Sequence, residues 1–165
     1  MASHPTPPVF DGPEDRNGKR NRADILFWDT YIRDQLNPET DKYIVLGDLN
    51  ADPKDGDGSH AAIQTLINGP YLTDPKPTSN GTALAHETQG GANARHTNDA
   101  ATDTADWRDE DGPGNLRVDY VLPSKTLNVK GAGVFWPTPD EAGFEWIGSD
   151  GRASSDHRLV WVDLE

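Results

Sequence analysis

A helical pattern followed directly by a short apolar run is the feature that most limits how this chain can fold. Residues 20–36 place apolar side chains three or four positions apart, on one face of a helix: Ile25, Trp28, Ile32 and Leu36. Residues 43–46 then form an uninterrupted apolar run, which predicts a strand buried on both faces. This succession favours a layered α/β or α+β domain.

The rest of the chain contains clear patterns and one long stretch without any. Residues 52–59 predict a loop, after which Ser59 or Asp57 can cap a short helix that carries Ile63, Leu66 and Ile67. Strand patterns return at residues 116–122, 127–136 and 159–164. Residues 73–115 are rich in Gly, Asn, Thr, Asp and Ala, and a loop of that length in a compact domain is usually functional or disordered.

Composition excludes several kinds of protein. The 165 residues suit one domain, and the absence of Cys excludes disulfides, thiolate metal sites and Cys nucleophiles. A net charge of −13 argues against a sequence-independent DNA coat. It is compatible with a site for divalent cations, although charge alone favours plain solubility. No apolar run approaches a bilayer span, which argues against membrane insertion, and the N-terminus has no signal-peptide pattern.

Two short motifs place polar groups beside predicted strands. "GDLN" puts Asp48 and Asn50 at a strand end, one residue apart, so both face the same side. They can orient a water, a metal or a phosphate, or they can simply form an Asx turn. In "SSDHR", Asp156 can bind a cation, and His157 can donate to a phosphate oxygen or transfer a proton. The alternative is a polar turn before an edge strand.

Two further residues stand out by their surroundings. "LRVDYVL" sets Asp119 in an otherwise apolar strand, where a carboxylate needs a partner such as a His, backbone N–H groups or Arg117. "SHPTPP" sets His4 in a segment stiffened by prolines, where a lone His is most often only solvated.

Together and in this order, the motifs carry a family resemblance. G-D-x-N at a strand end, R-[IV]-D-Y-[IV]-L, and S-D-H before the last strand resemble the endonuclease/exonuclease/phosphatase superfamily, with its deoxyribonuclease-I-like fold. "HPTPP" matches the His segment that precedes G-D-x-N in that family. The sequence of these motifs is most similar to that of a bacterial subgroup of the superfamily, whose members are often exported. The resemblance covers nearly the whole chain.

The resemblance implies a Mg²⁺-assisted attack of water on a phosphate ester, with Mn²⁺ or Ca²⁺ as alternatives. His4 matches the His that contacts the scissile phosphate. Asp48 matches the Asp that orients or deprotonates the attacking water. Asn50 matches the Asn that holds the phosphate and the metal in place, so both Asp48 and Asn50 are expected at the metal.

The resemblance also assigns the C-terminal motifs. Asp119 matches the carboxylate that pairs with the family's second His, and His157 matches that His, which stabilises charge on the phosphoryl oxygens. Asp156 matches a metal ligand. Phosphoryl transfer needs in-line positioning and charge neutralisation more than covalent chemistry, which agrees with these residue types.

The resemblance implies that residues 1–165 are a single partial domain, the C-terminal half of a layered α/β sandwich with a mainly antiparallel sheet. The first half of the family domain, with its principal metal-binding Glu, has no counterpart here. The sheet that would face this half is expected to expose apolar residues, with Val121, Val134, Val160 and Val162 as candidates. Self-association, or pairing with the missing half, is therefore expected.

Other candidates are weaker. "DPKDGDG", residues 52–58, lacks the EF-hand spacing, which favours a plain acidic turn. The basic run at residues 16–22 favours a solvated helix start over a guide for phosphate. In "GGANARH", small residues permit close approach to a ligand in a region where the family contacts substrate, so Asn93 and Arg95 are candidate substrate-binding residues.

Three functions stay open at this level. The first is a phosphoesterase acting on nucleic acid or on small phosphate esters; the acidic charge favours short or small substrates. The second is a non-catalytic remnant or binding module that keeps half of a site. The third is a split half that becomes active when its other half associates. The compartment is not determined, although export is plausible for a longer parent protein.

Overall fold

Helices and short antiparallel strands make up the fold in a computed structural model of the chain, which describes residues 1–148 and 153–165. The helices are α1 (Arg16–Gln35), α2 (His60–Ile67), α3 (Asn80–Gln89) and α4 (Phe144–Ile147), with single 3₁₀ turns at Asn93–Arg95 and Ala100–Thr102. The strands are β1 (Ile44–Asp48), β2 (Ala105–Asp106), β3 (Asn115–Leu116), β4 (Asp119–Pro123), β5 (Val129–Phe135) and β6 (Leu159–Leu164). The expected layered α/β architecture is confirmed.

Antiparallel pairing joins strands that are distant in sequence. β1 pairs with β4, β2 with β3, and β5 with β6. The β1–β4 register sets Asp48 directly opposite Asp119. Two isolated bridges extend these pairs: Ala2 runs parallel to Leu46, and Ala105 pairs with His157. The pairing therefore brings the N-terminal segment, the end of β1 and the start of β6 to one part of the fold.

The main core lies between α1, α2 and the inner face of the β1–β4 pair. Its buried members include Ile25, Ile32, Val45, Ile63 and Leu122. The spacing of Ile25 and Ile32 correctly predicted the buried face of α1, and Trp28 and Leu36 pack at its margin. The helix begins four residues earlier than predicted, at Arg16, so the basic run forms its first turns.

The region without apolar pattern is not a long loop. Residues 73–115 contain α3, both 3₁₀ turns and β2, because buried polar groups replace the apolar periodicity that sequence reasoning depends on. Thr82, Asn93, Thr104, Asp106 and Asn115 are all buried. Asn93 shows how such a buried polar residue is held: its amide nitrogen donates to Asp109 and its amide oxygen accepts from the backbone N–H of Asn115. Hydrogen bonds hold this region together where a long loop was expected.

The strand predicted at residues 116–122 is divided into β3 and β4. At the break, the backbone N–H of Arg117 donates to the Asp52 carboxylate at 2.9 Å. The N–H of Val118 donates to the Thr104 hydroxyl at 3.0 Å. Side-chain acceptors thus take the place of ladder partners for two residues.

Apolar exposure differs from expectation. β1 is not buried on both faces, since Leu46 is 40% exposed. Val134 is buried against Trp136 and Ile147, because strand alternation turns it toward α4. On β6, the exposed positions are Leu159 (67%) and Trp161 (42%), whereas Val160 and Val162 are half-buried, as is Val121 on β4. In the described residues, no helix is both long and apolar enough to cross a membrane.

Candidate active site

The ends of β1 and β4 form the floor of the candidate site. Asp48 ends β1 and Asp119 begins β4, and the antiparallel register places them side by side. Gly47 precedes Asp48 with a φ of 135°, a conformation that favours glycine. A β-carbon at Gly47 would collide with the carbonyl oxygen of Ser3. The glycine of "GDLN" therefore lets the His4 segment lie directly against β1.

His4 and Asn50 converge on Asp48. The Oδ1 atom of Asp48 accepts the backbone N–H of Asn50 at 2.7 Å, and its Oδ2 atom lies 3.4 Å from Nε2 of His4. The Nδ2 atom of Asn50 donates to the Pro5 carbonyl at 3.1 Å. These bonds fix the carboxylate and the amide while leaving the Asn50 Oδ1 atom without a partner in the described part of the chain.

Asn21 on α1 connects the same segments from beneath. Its buried side-chain amide donates to the carbonyls of Thr6 and Leu49, both at 3.0 Å. A third, longer contact of 3.4 Å reaches the Asn50 carbonyl. Sequence analysis missed this residue because it lies within the basic run of residues 16–22, where a solvated helix surface was expected. A polar residue on the same helical face as Ile25 and Ile32 is the signal that could have revealed it.

Asp119 and His157 form a hydrogen-bonded pair. The Oδ2 atom of Asp119 lies 2.9 Å from Nδ1 of His157, which leaves the ring's Nε2 atom available to a substrate. Thr104 holds the carboxylate from the other side: its hydroxyl donates to the same oxygen at 2.8 Å. The Thr104 carbonyl also accepts the backbone N–H of Arg158 at 2.8 Å, so one residue positions both members of the pair. Sequence analysis did not identify Thr104, which lies in the stretch without pattern.

The charges in the site favour proton transfer and anion binding. Burial raises the pKa of Asp48, opposed by the hydrogen bond that it accepts from Asn50. The hydrogen bond to Asp119 raises the pKa of His157 above its usual 6.5. A more basic Asp48 is a better proton acceptor, and a protonated His157 is a better donor to a negatively charged oxygen.

Donor atoms of Asp48, Asp119 and His157 lie within 4.8 Å of one another. Carboxylate oxygens suit Mg²⁺. Burial, and to a smaller extent the charge of Asp119, raises the pKa of Asp48, so a bound cation would favour the ionised carboxylate. This donor set fits a divalent metal. Asp156, predicted as a ligand, is exposed and is not one of these three; its backbone carbonyl accepts the N–H of Asp106 at 2.8 Å.

The predicted substrate-binding residues lie on the first 3₁₀ turn. Asn93 is fully buried, and both ends of its side chain are used within the fold. Arg95 is exposed. Trp107, which was not predicted, contacts His157 edge to face with a ring-centroid distance of 5.4 Å. Its position after β2 brings an aromatic surface to the site.

Comparison with known proteins places this architecture in a family. The model of the Endonuclease/Exonuclease/phosphatase family matches residues 3–157. No curated protein matched significantly. Among solved structures, the chain is similar to an endonuclease/exonuclease/phosphatase from Beutenbergia cavernae DSM 12333, with 18% identity and a TM-score of 0.48, over 90% of this chain and 31% of that one.

A functionally unknown conserved protein from Enterococcus faecalis V583 is similar at 16% identity and a TM-score of 0.45, over 91% of this chain and 46% of that one. The chain thus spans less than half the length of either structure. The family match covers nearly all of the chain, including His4, Asp48, Asn50 and Asp119. The chain belongs to the endonuclease/exonuclease/phosphatase family.

Proposed function

We propose that this chain carries the site of a divalent-metal-dependent phosphoesterase, which hydrolyses phosphodiester or phosphomonoester bonds by attack of water. The observation that supports this best is the convergence of polar groups from separate segments. His4 lies against Asp48, and donor atoms of Asp48, Asp119 and His157 lie within 4.8 Å of one another. Family membership supports hydrolytic chemistry on phosphate esters.

Asp48 is proposed to orient the attacking water and to accept its proton, which the raised pKa of this carboxylate favours. His157, held by Asp119, donates from Nε2 to a phosphoryl oxygen. His4 offers a second donor to the phosphate from the side of Asp48. Mg²⁺, with Mn²⁺ as an alternative, would be held by the neighbouring carboxylates of Asp48 and Asp119, and Asn50 and the exposed Asp156 are proposed as further ligands. This ion would neutralise charge that develops on the phosphate.

The proposed substrates are short nucleic acids or small phosphate esters, because the net charge of −13 disfavours a long polyanion. Arg95, whose side chain is exposed, is the proposed cationic contact for such a substrate. Asn93 is proposed to support that turn, since its amide is already bonded within the fold.

We further propose that a second layer covers the apolar residues Leu46, Leu159 and Trp161, either a second copy or the other half of the family domain. All three are at least 40% exposed. Exposed apolar side chains of this size on a sheet mark an interaction surface.

The decisive experiment is hydrolysis of bis(p-nitrophenyl) phosphate, p-nitrophenyl phosphate and plasmid DNA by the purified chain, with Mg²⁺ or Mn²⁺ and then with chelator. Asp48→Asn and His157→Gln should each lower turnover by about 100-fold or more. Asp24→Asn removes the same charge from the exposed face of α1 and should leave turnover unchanged. Metal-independent turnover, or equal turnover in Asp48→Asn, would overturn the proposal.

A folded chain without turnover would favour the split-site or remnant alternative. The separately expressed N-terminal half of a family member then distinguishes these two. Activity that appears on mixing, and is lost with Asp48→Asn, identifies a split site. No activity on mixing identifies a non-catalytic remnant.

A further inference from the structure

The turn that carries His157 has little burial of its own. Residues 153–156 are exposed and His157 is half-buried, so the first buried side chain of this segment is that of Arg158. Its guanidinium, in a side chain that is only 1% exposed, donates through Nη1 to the backbone carbonyls of Ser155 and His157, the latter at 3.4 Å. One buried cation therefore holds the backbone of this turn from beneath.

Asp106 anchors that cation. Its Oδ2 atom lies 3.2 Å from Nη2 of Arg158, and its side chain is fully buried. The backbone N–H of Asp106 also donates to the Asp156 carbonyl at 2.8 Å. The guanidinium lies over the Trp136 ring, 4.3 Å from the ring centroid. Strand β2 thus holds the turn through a backbone contact and a side-chain contact at once.

A buried ion pair of this kind is weak evidence for stability. The cost of desolvating two charges can cancel their attraction, and apolar side chains of similar volume often stabilise a fold equally well. The hydrogen bonds of a guanidinium fork have fixed directions, which apolar contacts do not have. The Arg158–Asp106 pair lies where direction matters, because the preceding residue carries the imidazole that bonds Asp119.

We propose that Arg158 is a positioning residue for His157. Its guanidinium, fixed on Asp106, sets the backbone of the turn and thereby keeps Nδ1 of His157 at 2.9 Å from the Asp119 carboxylate. Thr104 supports the same arrangement, since its carbonyl accepts the backbone N–H of Arg158 at 2.8 Å. The consequence for turnover rests on the proposed function, whereas the position of the ring does not.

A second buried ion pair provides a matched control. The side chains of Arg117 and Asp74 are 4% and 6% exposed, and the guanidinium lies 4.7 Å from the centroid of the Tyr120 ring. In the part of the chain that the structure describes, neither side chain bonds Asp119 or His157. The same chemistry at similar burial thus occurs with and without contact to the His157 turn.

The test is the position of the His157 ring, measured by NMR. Its carbon-bound protons should show a nuclear Overhauser contact with those of Trp107, because the two rings meet edge to face with centroids 5.4 Å apart. Samples of His157→Gln and Trp107→Phe assign the signals. The measurement is made at one fixed pH and requires no turnover.

Wild type and the control Asp74→Asn/Arg117→Met should show the ring contact. Asp106→Asn/Arg158→Met should lose it, although both double variants should melt at similar temperatures because each replaces a whole pair. In the Arg158 variant, kcat for bis(p-nitrophenyl) phosphate should fall by about 100-fold with a smaller change in KM, as expected when a reacting group is misplaced. A purely structural role would lower stability without this selective loss.

If the double variant at Arg158 does not fold, Arg158→Lys provides the comparison. Lysine keeps the charge beside Asp106 but has no fork that reaches two carbonyls, so the ring contact should again be lost. A contact that persists in the folded variant would overturn the proposal, as would its loss in the control or its absence from wild type. Loss of the contact without loss of turnover supports the positioning role and contradicts the proposed part of His157 in hydrolysis.

Discussion

Thr104 shows how much of this site depends on one buried hydroxyl. Its Oγ1 atom accepts the backbone N–H groups of Val118 and Asp119 and donates to the Asp119 carboxylate. It therefore substitutes for strand pairing where β3 and β4 are interrupted, and it orients the partner of His157. The same atom serves both the fold and the proposed chemistry.

Replacing Thr104 with the isosteric Val should therefore destabilise the protein. The buried N–H group of Val118 and the partly buried N–H group of Asp119 would lose their acceptor, which lowers the free energy of unfolding by about 1–3 kcal/mol. Urea denaturation measures the loss. Thr65→Val is the matched control, because the Thr65 hydroxyl only bonds the Ala61 carbonyl on the exposed side of α2, and its loss should cost little. Equal stability of the two variants would contradict this role for Thr104.

The Asp119–His157 hydrogen bond sets the proton affinity of the imidazole. The raised pKa of His157 means that the folded chain binds this proton more tightly than the unfolded chain. The pair therefore stabilises the fold fully below about pH 6.5, the unfolded pKa. That contribution is lost as the pH rises through the higher pKa of the folded state.

Asp119→Asn should lower the pKa of His157 and remove this part of the pH dependence of stability. NMR titration of the imidazole, assigned with a His157→Gln sample, measures the pKa directly. An unaltered His157 titration in Asp119→Asn would show that the pair does not control this proton.

At the scale of elements, sequence patterns succeeded where apolar side chains carry the structure. β6 was predicted at its observed bounds, and α1 was recognised from Ile25 and Ile32. The patterns failed between residues 73 and 115, because α3, β2 and the adjoining turns are held by buried polar residues such as Thr82 and Asn93. Hydrogen-bond partners distant in sequence leave no periodic signal.

The candidate site follows the same rule. The short motifs identified Asp48, Asp119 and His157 as chemical groups, and the structure brings these together. Asn21 and Thr104, which position them, carry no motif, and their partners lie 28 and 15 residues away. Groups with distinctive chemistry can be found from sequence, whereas their supports require the fold.

The junction between β1 and the N-terminal segment gives a prediction for an element. Gly47→Ala and Gly90→Ala both place alanine at positive φ, which costs about 1–3 kcal/mol. Only the alanine at Gly47 also collides with Ser3, since nothing lies near the corresponding position of Gly90. Gly47→Ala should therefore be clearly the less stable of the two by thermal melting, and should release the His4 segment. Equal melting temperatures would contradict the close contact.

At the scale of the whole molecule, β6 exposes two large apolar side chains on one face. Leu159 and Trp161 occupy alternate positions and are 67% and 42% exposed, whereas Val160 on the opposite face packs against the fold. The lysine substitution Leu159→Lys should weaken self-association and the binding of a hydrophobic dye, because it charges this surface. Sedimentation velocity at several concentrations measures the effect.

Phe10→Lys is the control for this prediction. Phe10 is 94% exposed but lies outside β6, in the segment that precedes α1, so its replacement should leave association unchanged. A wild-type chain that remains monomeric and binds no dye would contradict the proposal of a covering layer. Equal effects of the two variants would indicate nonspecific hydrophobic association, without a defined interaction surface.

The edge contact between Trp107 and His157 has an optical consequence. A protonated imidazole quenches the fluorescence of an indole that it touches, and these two rings lie 5.4 Å apart at 82°. Although the chain has five tryptophans, the difference in emission between wild type and Trp107→Phe isolates this one. The intrinsic fluorescence of Trp107 therefore reports the protonation of His157, and it can be followed in real time without any label.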